Sequence, residues 1–451
     1  MQTDSFDLVI AGGGMTGAML AYALLCQNPA LRVAIVEQQA EQQAGQAAAK
    51  TDIAPKLSFD SRSIALAAGS IELLSAWGLW QELAEHACAI EHIQVSDKGH
   101  FGKVYLSASE FNRQSLGQVI EIEWIGAVLY KKLSQFVQKG NLTWFRPDQI
   151  KTLQPETEQY QLELQSGRRL SAKLLVLCEG GDSPTRQLAG ISQQQHPYGQ
   201  TAVIANIGIQ TPHQQRAYER FTKDGPLALL PLTKQRYSLV WTMSPEQAAS
   251  LQQLPDAEFL AQLQQAFGYR AGVLQSVGSR VSYPLTLKFS LQASKHRLLL
   301  CGNSLHNLHP IAGQGFNLAL RDIAAIRALV ANAEDPGGYA VTSAYQKLRS
   351  PDMQQVIRLT DGLVRLFSNS SRLLALGRSI GLTALMQINF LKQQFASQTM
   401  GLTPLKNQQQ QRVRIMAAHA SISEHAPVTA QQHLSLSHPQ PGPGGQSDAN
   451  V

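Results

Sequence analysis

Residues 12–17 read GGGMTG, which puts Gly12, Gly14 and Gly17 at the three positions of a GxGxxG pattern. That spacing suits a backbone that must approach a pyrophosphate. The first glycine makes a tight turn, the second admits the phosphates, and the third lets the next helix pack on the strand before it. An anion held there rests on free N–H groups and the positive end of the helix dipole. The flanks agree: residues 6–11 (FDLVIA) read as a buried strand, 15–26 as a helix and 31–37 (LRVAIVE) as a second strand. Glu37 closes that strand, 20 residues past Gly17, where a carboxylate can accept hydrogen bonds from both ribose hydroxyls. A βαβ start of this kind implies a parallel sheet and a dinucleotide site.

Two further segments join a strand to a glycine-rich turn. Residues 301–322 (CGNSLHNLHPIAGQGFNLALRD) end a strand at Gly302 and Asn303. They continue through Pro310, Gly313, Gln314 and Gly315 into a helix that carries Asn317. Glycines there let backbone lie against a flat ligand, and the helix start offers N–H donors to negative charge. Residues 174–186 (LLVLCEGGDSPTR) end a strand at Glu179 and Gly180, with Ser183 and Arg186 downstream. Alone, this third segment reads more readily as an ordinary turn.

Other chemistries find no support. His306 and His309 form HxxH, but Pro310 interrupts a helix there and no cysteine or carboxylate cluster joins them. No GxSxG elbow surrounds Ser183, and no phosphate-binding GxxxxGK[ST] loop occurs. Cys26, Cys88, Cys178 and Cys301 are far apart in apolar segments, so they read as reduced core residues of a cytosolic protein. The 38 lysines and arginines are scattered without a run of five like charges, which argues against nucleic acid as a partner; the net charge of +6 is compatible with weak attraction to an anionic membrane.

The elements that must position these motifs follow from periodicity. At 451 residues, 44% of them hydrophobic and only 16% charged, the chain can bury a large core in two or three domains. A helix is expected over 63–83, with Leu66, Ile71, Leu74 and Leu79 near one face. Residues 92–107 read as a hairpin turning at Lys98 and Gly99, and 160–178 as a second hairpin; 128–137 reads as a helix. Strands are expected over 202–209, 237–243 and 297–301. Helices are expected over 258–267, capped by Asp256, over 316–331, and through 344–400. Residues 38–50 read as an exposed excursion. The glutamine run 408–411 and the segment PQPGPGGQSDAN near the end mark a tail too poor in apolar residues to fold alone. The polar, acidic start lacks the features of a secretion signal, and no stretch of about 20 uninterrupted apolar residues appears.

Taken together, the three motifs resemble the flavoprotein aromatic hydroxylases of the para-hydroxybenzoate hydroxylase type, over residues 5 to 400. Within that family, 59–70 (FDSRSIALAAGS) and 308–318 (LHPIAGQGFNL) look like the ubiquinone-biosynthesis branch, nearest its 2-polyprenyl-6-methoxyphenol hydroxylases. Two positions depart from the broad pattern. Glu179 replaces the usual aspartate of the middle motif, and Asn303 replaces that of the late motif. Within the branch, asparagine at the latter position marks the 6-methoxyphenol hydroxylases, while their sisters keep aspartate.

The resemblance implies an α/β (α+β overall) fold: a Rossmann-like FAD-binding domain of the glutathione-reductase type with an inserted mixed-sheet substrate domain and a C-terminal helical region. The FAD-binding domain would be discontinuous over 1–90, 110–190 and 290–340. The substrate domain would take 91–109 and 191–289, the helical region 341–400, and a disordered tail 401–451. FAD is the implied cofactor, held by Gly12, Gly14, Gly17, Glu37, Arg62, Glu179, Gly180, Gly302, Asn303, Pro310, Gly313, Gln314, Gly315 and Asn317. Arg62 would pair with the pyrophosphate, and NAD(P)H would donate electrons. The family's reduced flavin reacts with dioxygen to a C4a-hydroperoxide that hydroxylates a phenol ring, so no side-chain nucleophile is expected. The implied reaction converts 2-polyprenyl-6-methoxyphenol to the 1,4-benzoquinol in ubiquinone synthesis. A sister hydroxylase acting at another ring position, or a flavoprotein isoprenoid reductase or epoxidase, is the alternative. Expected partners are the polyprenyl phenol and O2, a ubiquinone-biosynthesis protein complex, and a peripheral contact with the inner face of the cytoplasmic membrane. The apolar stretch 373–391 is the candidate for that contact, with a buried helix as its other reading.

Overall fold

Strand Thr3–Ala11 lies between Val33–Val36 and Arg169–Leu177, parallel to both. Leu142–Phe145 extends the parallel run beyond Val33–Val36, and Leu298–Leu300 extends it beyond Arg169–Leu177. Leu8, Val9, Ile10, Val33, Ala34, Ile35, Leu174, Leu175 and Leu298 are all fully buried, as expected of strands covered on both faces. Antiparallel strands Tyr160–Leu164, Ile150–Pro155 and Ser294–Lys295 complete this sheet of eight. These positions come from a computed structural model that describes residues 3–40, 62–98, 103–310, 313–331, 333–367 and 400–401.

Helices Met15–Gln27, Ile122–Gln138 and Gln314–Val330 run beside the parallel sheet. Residues 17–25 of the first are buried without a break, so it is enclosed on all sides rather than amphipathic. Cys26 follows that run and is exposed, contrary to the expectation of four core cysteines; the other three are buried, and all four are free thiols. The last described helix is Tyr339–Phe367. The remainder of the 344–400 helical expectation, the apolar stretch 373–391 and the tail beyond Gly401 lie outside the described residues, as does most of the 38–50 excursion.

The expected helix over 63–83 is only partly helical. Ser63–Ala67 is a strand, antiparallel to Gly117–Glu121, which also pairs with Ala87–Ile90; helix begins at Ala68 and runs to Ala76. A short apolar run fits either period, and here the hydrogen bonds offered by a strand some fifty residues away decide.

A second sheet of nine strands is built from 92–107, 194–289 and the short strand His306–Asn307. Its central order is Val281–Phe289, Gln194–Ile209, Arg236–Met243, Gly225–Leu232, Arg216–Thr222, His92–Asp97 and Lys103–Ser107. Helices Pro245–Gln253 and Asp256–Phe267 cover one face. There Leu251, Phe259, Leu263 and Phe267 pack on Val203, Ile207, Leu229, Leu239 and Trp241, each fully buried large side chain contributing about 1.5–3 kcal/mol. Asp256 does not cap its helix: Pro255 holds the cap position, and Asp256 pairs with Arg280 at 3.1 Å. The opposite face turns toward the parallel-sheet body. Ala217 and Leu230 pack with Ala65 and Val119, and Glu121 receives both Arg236 guanidinium nitrogens at 2.9 Å and Asn206 at 3.1 Å. That bidentate pair fixes the orientation of the sheet as well as adding energy.

Candidate active site

The three glycines of the first motif serve different purposes. Gly12 has φ +97°, and a Cβ there would stand 2.6 Å from the Cys178 carbonyl oxygen, so strand and turn meet too closely for any side chain. A Cβ at Gly17 would stand 1.9 Å from the Gly12 carbonyl oxygen, which sets how tightly helix Met15–Gln27 crosses the turn. Gly14 differs: its φ of −63° suits any residue, and nothing lies within 4 Å of where its Cβ would be. The helix beginning there has no side-chain cap and no acidic residue in its first turn. Open space above uncapped N–H donors is what a pyrophosphate requires.

Glu37 stands beside this turn. Its carboxylate accepts from the Gly13 N–H at 2.6 Å and the Gln39 N–H at 2.8 Å. A carboxylate offers about four lone-pair sites, so acceptor capacity remains for ribose hydroxyls.

The late motif meets the first. A Cβ on Gly302, at φ +60°, would come within 2.9 Å of the Thr16 side chain, so the turn Gly302–Ser304 lies against the start of the first helix. Asn303 is exposed at that turn. Gly313, at φ +60°, sits over Ala65 and precedes helix Gln314–Val330, which again lacks a side-chain cap and an acidic first turn. Gly315 has open space where a Cβ would be; Pro310 is half-buried and Gln314 is buried. Residues 311 and 312 lie outside the described residues.

The side-chain amide of Asn317 is fully engaged with protein. Its side-chain oxygen accepts from the Ala67 N–H at 2.8 Å and Ser70 Oγ at 2.7 Å. Its nitrogen donates to the Ala65 carbonyl at 2.8 Å and the Gly313 carbonyl at 2.7 Å. An amide with two donors and two acceptor sites is then saturated. The Asn317 side chain therefore positions the Gly313 loop on strand Ser63–Ala67.

Glu179 is likewise turned onto its own segment, accepting from Ser183 Oγ at 2.5 Å, Thr185 Oγ1 at 2.6 Å and the Thr185 N–H at 3.1 Å. The extra methylene relative to aspartate is used to close the turn into Pro184–Leu188. Gly180, at φ +90°, has open space beside it. Buried Arg186 donates to the Gly181 carbonyl at 3.2 Å and the Ser304 carbonyl at 3.3 Å, tying the middle motif to the late one. Arg62 lies 5.1 Å over the Tyr283 ring, between the strand Ser63–Ala67 and the large sheet; residues 59–61 of its motif are outside the described residues.

The sequence reading left the support of this loop unassigned. Asp322, fully buried, accepts from the Gly302 N–H at 3.0 Å, lies 2.7 Å from His306 Nε2, and accepts from Arg349 Nε at 2.7 Å. Arg349 continues to Asp352 at 2.5 Å, and Asp352 to Arg321 at 2.8 Å. Burial alone would raise the Asp322 pKa, but the charges of His306 and Arg349 and the hydrogen bonds from His306 and Gly302 hold it below its ordinary value. The available signal was a charged pair, Arg321-Asp322, inside an otherwise apolar helix. His309 packs edge-on against Tyr198 at 5.1 Å, and burial lowers its pKa to about 4, so it is neutral at physiological pH. The two histidines of HxxH thus face different partners, and no metal-ligating cluster occurs among the described residues.

Two uncapped helix starts, glycines with room above them, and Glu37 beside the first together fit an extended dinucleotide with a flat ring. Comparison with known proteins accords with this. A family model described as an FAD binding domain matches residues 5–360. The ubiquinone hydroxylase UbiL of Rhodospirillum rubrum is 33% identical over 404 residues, spanning 88% of this chain and 90% of that one. The 3-demethoxyubiquinol 3-hydroxylase of Escherichia coli is 30% identical over 407 residues, spanning 89% of this chain and all of that one. Among solved structures, the p-nitrophenol 4-monooxygenase of Pseudomonas putida superposes with a TM-score of 0.70 over 89% of this chain and 99% of its own, at 14% identity, a likeness of fold. The chain belongs to the FAD-dependent hydroxylases of ubiquinone biosynthesis, flavoprotein monooxygenases with NAD(P)H as electron donor.

Proposed function

We propose that this hydroxylase acts on 2-polyprenyl-6-methoxyphenol and places the new hydroxyl para to the phenol oxygen, giving the 1,4-benzoquinol. The observation that supports the ring position is Asn303, exposed on the turn beside the first helix, where the family resemblance implies aspartate in the sister hydroxylases. A neutral amide there hydrogen-bonds a cofactor hydroxyl without adding charge to the crevice. A second reading, hydroxylation at another ring position, is favoured by the full-length match to the 3-demethoxyubiquinol 3-hydroxylase.

In this reading the protein's part is positional. Gly12, Gly14 and Gly17 admit the pyrophosphate to the first helix start, and Glu37 takes the ribose. Gly302, Asn303, Pro310, Gly313, Gln314 and Gly315 line the rest of the crevice, with Asp322, Asn317 and Arg186 holding those loops in place. Arg62, above Tyr283, stands where the large sheet meets the cofactor body. The bound cofactor supplies the activation of dioxygen with electrons from NAD(P)H, and enclosure of the site excludes water from the reaction. The substrate carries a long apolar tail, so the enzyme would work in the cytoplasm against the inner face of the membrane, within or beside a complex of ubiquinone-biosynthesis proteins. Among the described residues no helix is long and apolar enough to cross a membrane. Co-sedimentation of the holoenzyme with anionic lipid vesicles tests that contact; protein left in the supernatant at low salt would refute it.

Mass spectrometry of lipid extracts from aerobically grown cells lacking the protein tests the ring position. Accumulated polyprenyl-methoxyphenol is the expected result. Accumulated polyprenylphenol without the methoxy group, or demethoxyubiquinone, would assign the enzyme to another position.

A further inference from the structure

The sheet face opposite the two covering helices carries a carboxyl group among apolar neighbours. Glu219, in strand Arg216–Thr222, stands directly beside Val95 on one side and Ala228 on the other. The row continues through Val240, Ile204 and Val281. Val95, Glu219, Val240 and Ile204 each keep some exposed surface, whereas their counterparts on the other face, such as Leu229, Leu239 and Val203, have none. Glu219 is half-buried on the face that turns toward the parallel-sheet body, so its carboxyl combines burial with remaining access. Among the described residues it makes no hydrogen bond or ion pair, and burial alone raises its pKa to about 7.

This face continues toward the crevice. Val95 packs in one cluster with Ala68 and Met400, directly after the strand whose Ala65 lies under Gly313. Other titratable groups on this face are Asp97, two residues along the neighbouring strand, Arg236 in its pair with Glu121, and Tyr283 beneath Arg62. Glu72, on the adjoining helix Ala68–Ala76, pairs with Arg113. None of these contributes to the shift of Glu219.

We propose that Glu219 is a catalytic residue of the hydroxylation, accepting the proton of the substrate's phenolic hydroxyl. This rests on the assignment of a polyprenyl phenol as substrate. The phenolic O–H bond breaks, its electron pair stays on the phenol oxygen and enriches the ring at the ortho and para carbons, and the proton forms a new O–H bond on the carboxylate. No electron is transferred in this step, and the carboxylic acid returns its proton to solvent after the quinol leaves. The apolar row suits the prenyl-substituted ring, and the single carboxylate marks where its hydroxyl sits.

The test compares wild type, Glu219→Gln and Glu219→Asp as FAD-loaded enzymes. Each is reduced and then mixed with oxygen and a short-chain 2-prenyl-6-methoxyphenol, across pH. Wild-type quinol formation should rise with pH and level off above about 7. Glu219→Gln should lose that limb and fall by about 100-fold or more, while FAD content and flavin reduction by NAD(P)H are unchanged; Glu219→Asp should restore part of the limb. A Gln variant that keeps the wild-type rate and pH profile overturns the proposal. So does a Gln variant whose melting temperature follows pH as the wild type's does, since the carboxyl would then not be enclosed. If wild type hydroxylates a demethoxyubiquinol instead, the ring-position assignment fails on its own, and the same variant comparison on that substrate decides the role of Glu219.

Discussion

Gly14 and Gly17 belong to one motif, yet their surroundings demand opposite behaviour on substitution. At Gly14 a valine meets no protein atom within 4 Å of its Cβ, and φ −63° is ordinary for it. Losing glycine at a helix N-cap costs some tenths of a kcal/mol to about 1, and the smaller conformational entropy of the unfolded chain returns about 0.4–1 kcal/mol. The cofactor-free Gly14→Val variant should therefore unfold in urea within about 1 kcal/mol of wild type. The added carbons occupy the space through which phosphate reaches the helix N–H groups. Losing one or two charge-assisted hydrogen bonds, each about 1.5–3 kcal/mol, should weaken FAD binding at least about tenfold. At Gly17 even alanine places its Cβ 1.9 Å from the Gly12 carbonyl oxygen, where ordinary contact begins at 3.4 Å. The helix must shift, at about 1–3 kcal/mol or more, so Gly17→Ala should lose stability without cofactor present. Urea unfolding of apo-protein and fluorescence titration with FAD measure both quantities. If Gly14→Val binds FAD as wild type does, the open space is not the pyrophosphate site. If both variants lose stability and FAD together, the division of labour between the glycines is wrong.

Asp322→Asn puts an amide nitrogen against one of three donors and strips Arg349 of half its pairing, so unfolding should become easier by about 3–5 kcal/mol; differential scanning calorimetry of the apo-protein checks it. Because the folded-state pKa of Asp322 is depressed, its contribution is present above the ordinary carboxylate range and disappears as pH falls through the still lower folded value. The same calorimetry in acid should show the wild type converging on the variant. Asn317→Ala leaves the Ala67 N–H and the Ala65 and Gly313 carbonyls without their partner, so FAD should dissociate faster even though the side chain's own hydrogen bonds all go to protein; a stopped-flow chase measures that rate. Glu219 has the opposite sign to Asp322: its folded-state pKa is raised, so the wild type should lose stability as pH rises from about 4.5 to about 7 and then level off, a loss of order 3 kcal/mol at most. Glu219→Gln should be the more stable protein at pH 8, as thermal melts would show.

What could be read in the sequence depended on which part of the residue does the work. Gly12, Gly14 and Gly17 act through the backbone, and only glycine suits a φ of +97° or a 1.9 Å approach, so residue identity alone announces the turn. The parallel strands were legible for a similar reason: burial on both faces leaves little but Leu, Val, Ile and Ala. Ser63–Ala67 was misread as helix because five residues carry too little periodicity to choose, and its partner strand is remote in sequence. Glu179 and Asn317 carry tasks that their motifs alone do not announce. Nothing local shows that Glu179 folds back on Ser183 and Thr185, or that Asn317 spends all four hydrogen-bonding sites on protein.

Glu219 shows where such reading stops. In AYERF it alternates with apolar residues as any solvent-facing strand carboxylate does, and Arg220 beside it strengthens that impression. Its meaning comes from the neighbours that four other strands bring alongside: Val95, Ala228, Val240 and Ile204. A cofactor crevice can be advertised by a few consecutive residues because phosphate recognition is a property of one turn and one helix start. A recess for a prenylated ring has no such local unit. It is an apolar face assembled across a sheet, and its one polar group differs from a surface residue only by what surrounds it. The framework that holds FAD is fixed by backbone geometry, whereas the pose of the substrate ring, with Glu219 acting as proposed, would follow from where one proton acceptor stands in an apolar row. Moving that acceptor by one row across the sheet would turn the ring, not change the chemistry.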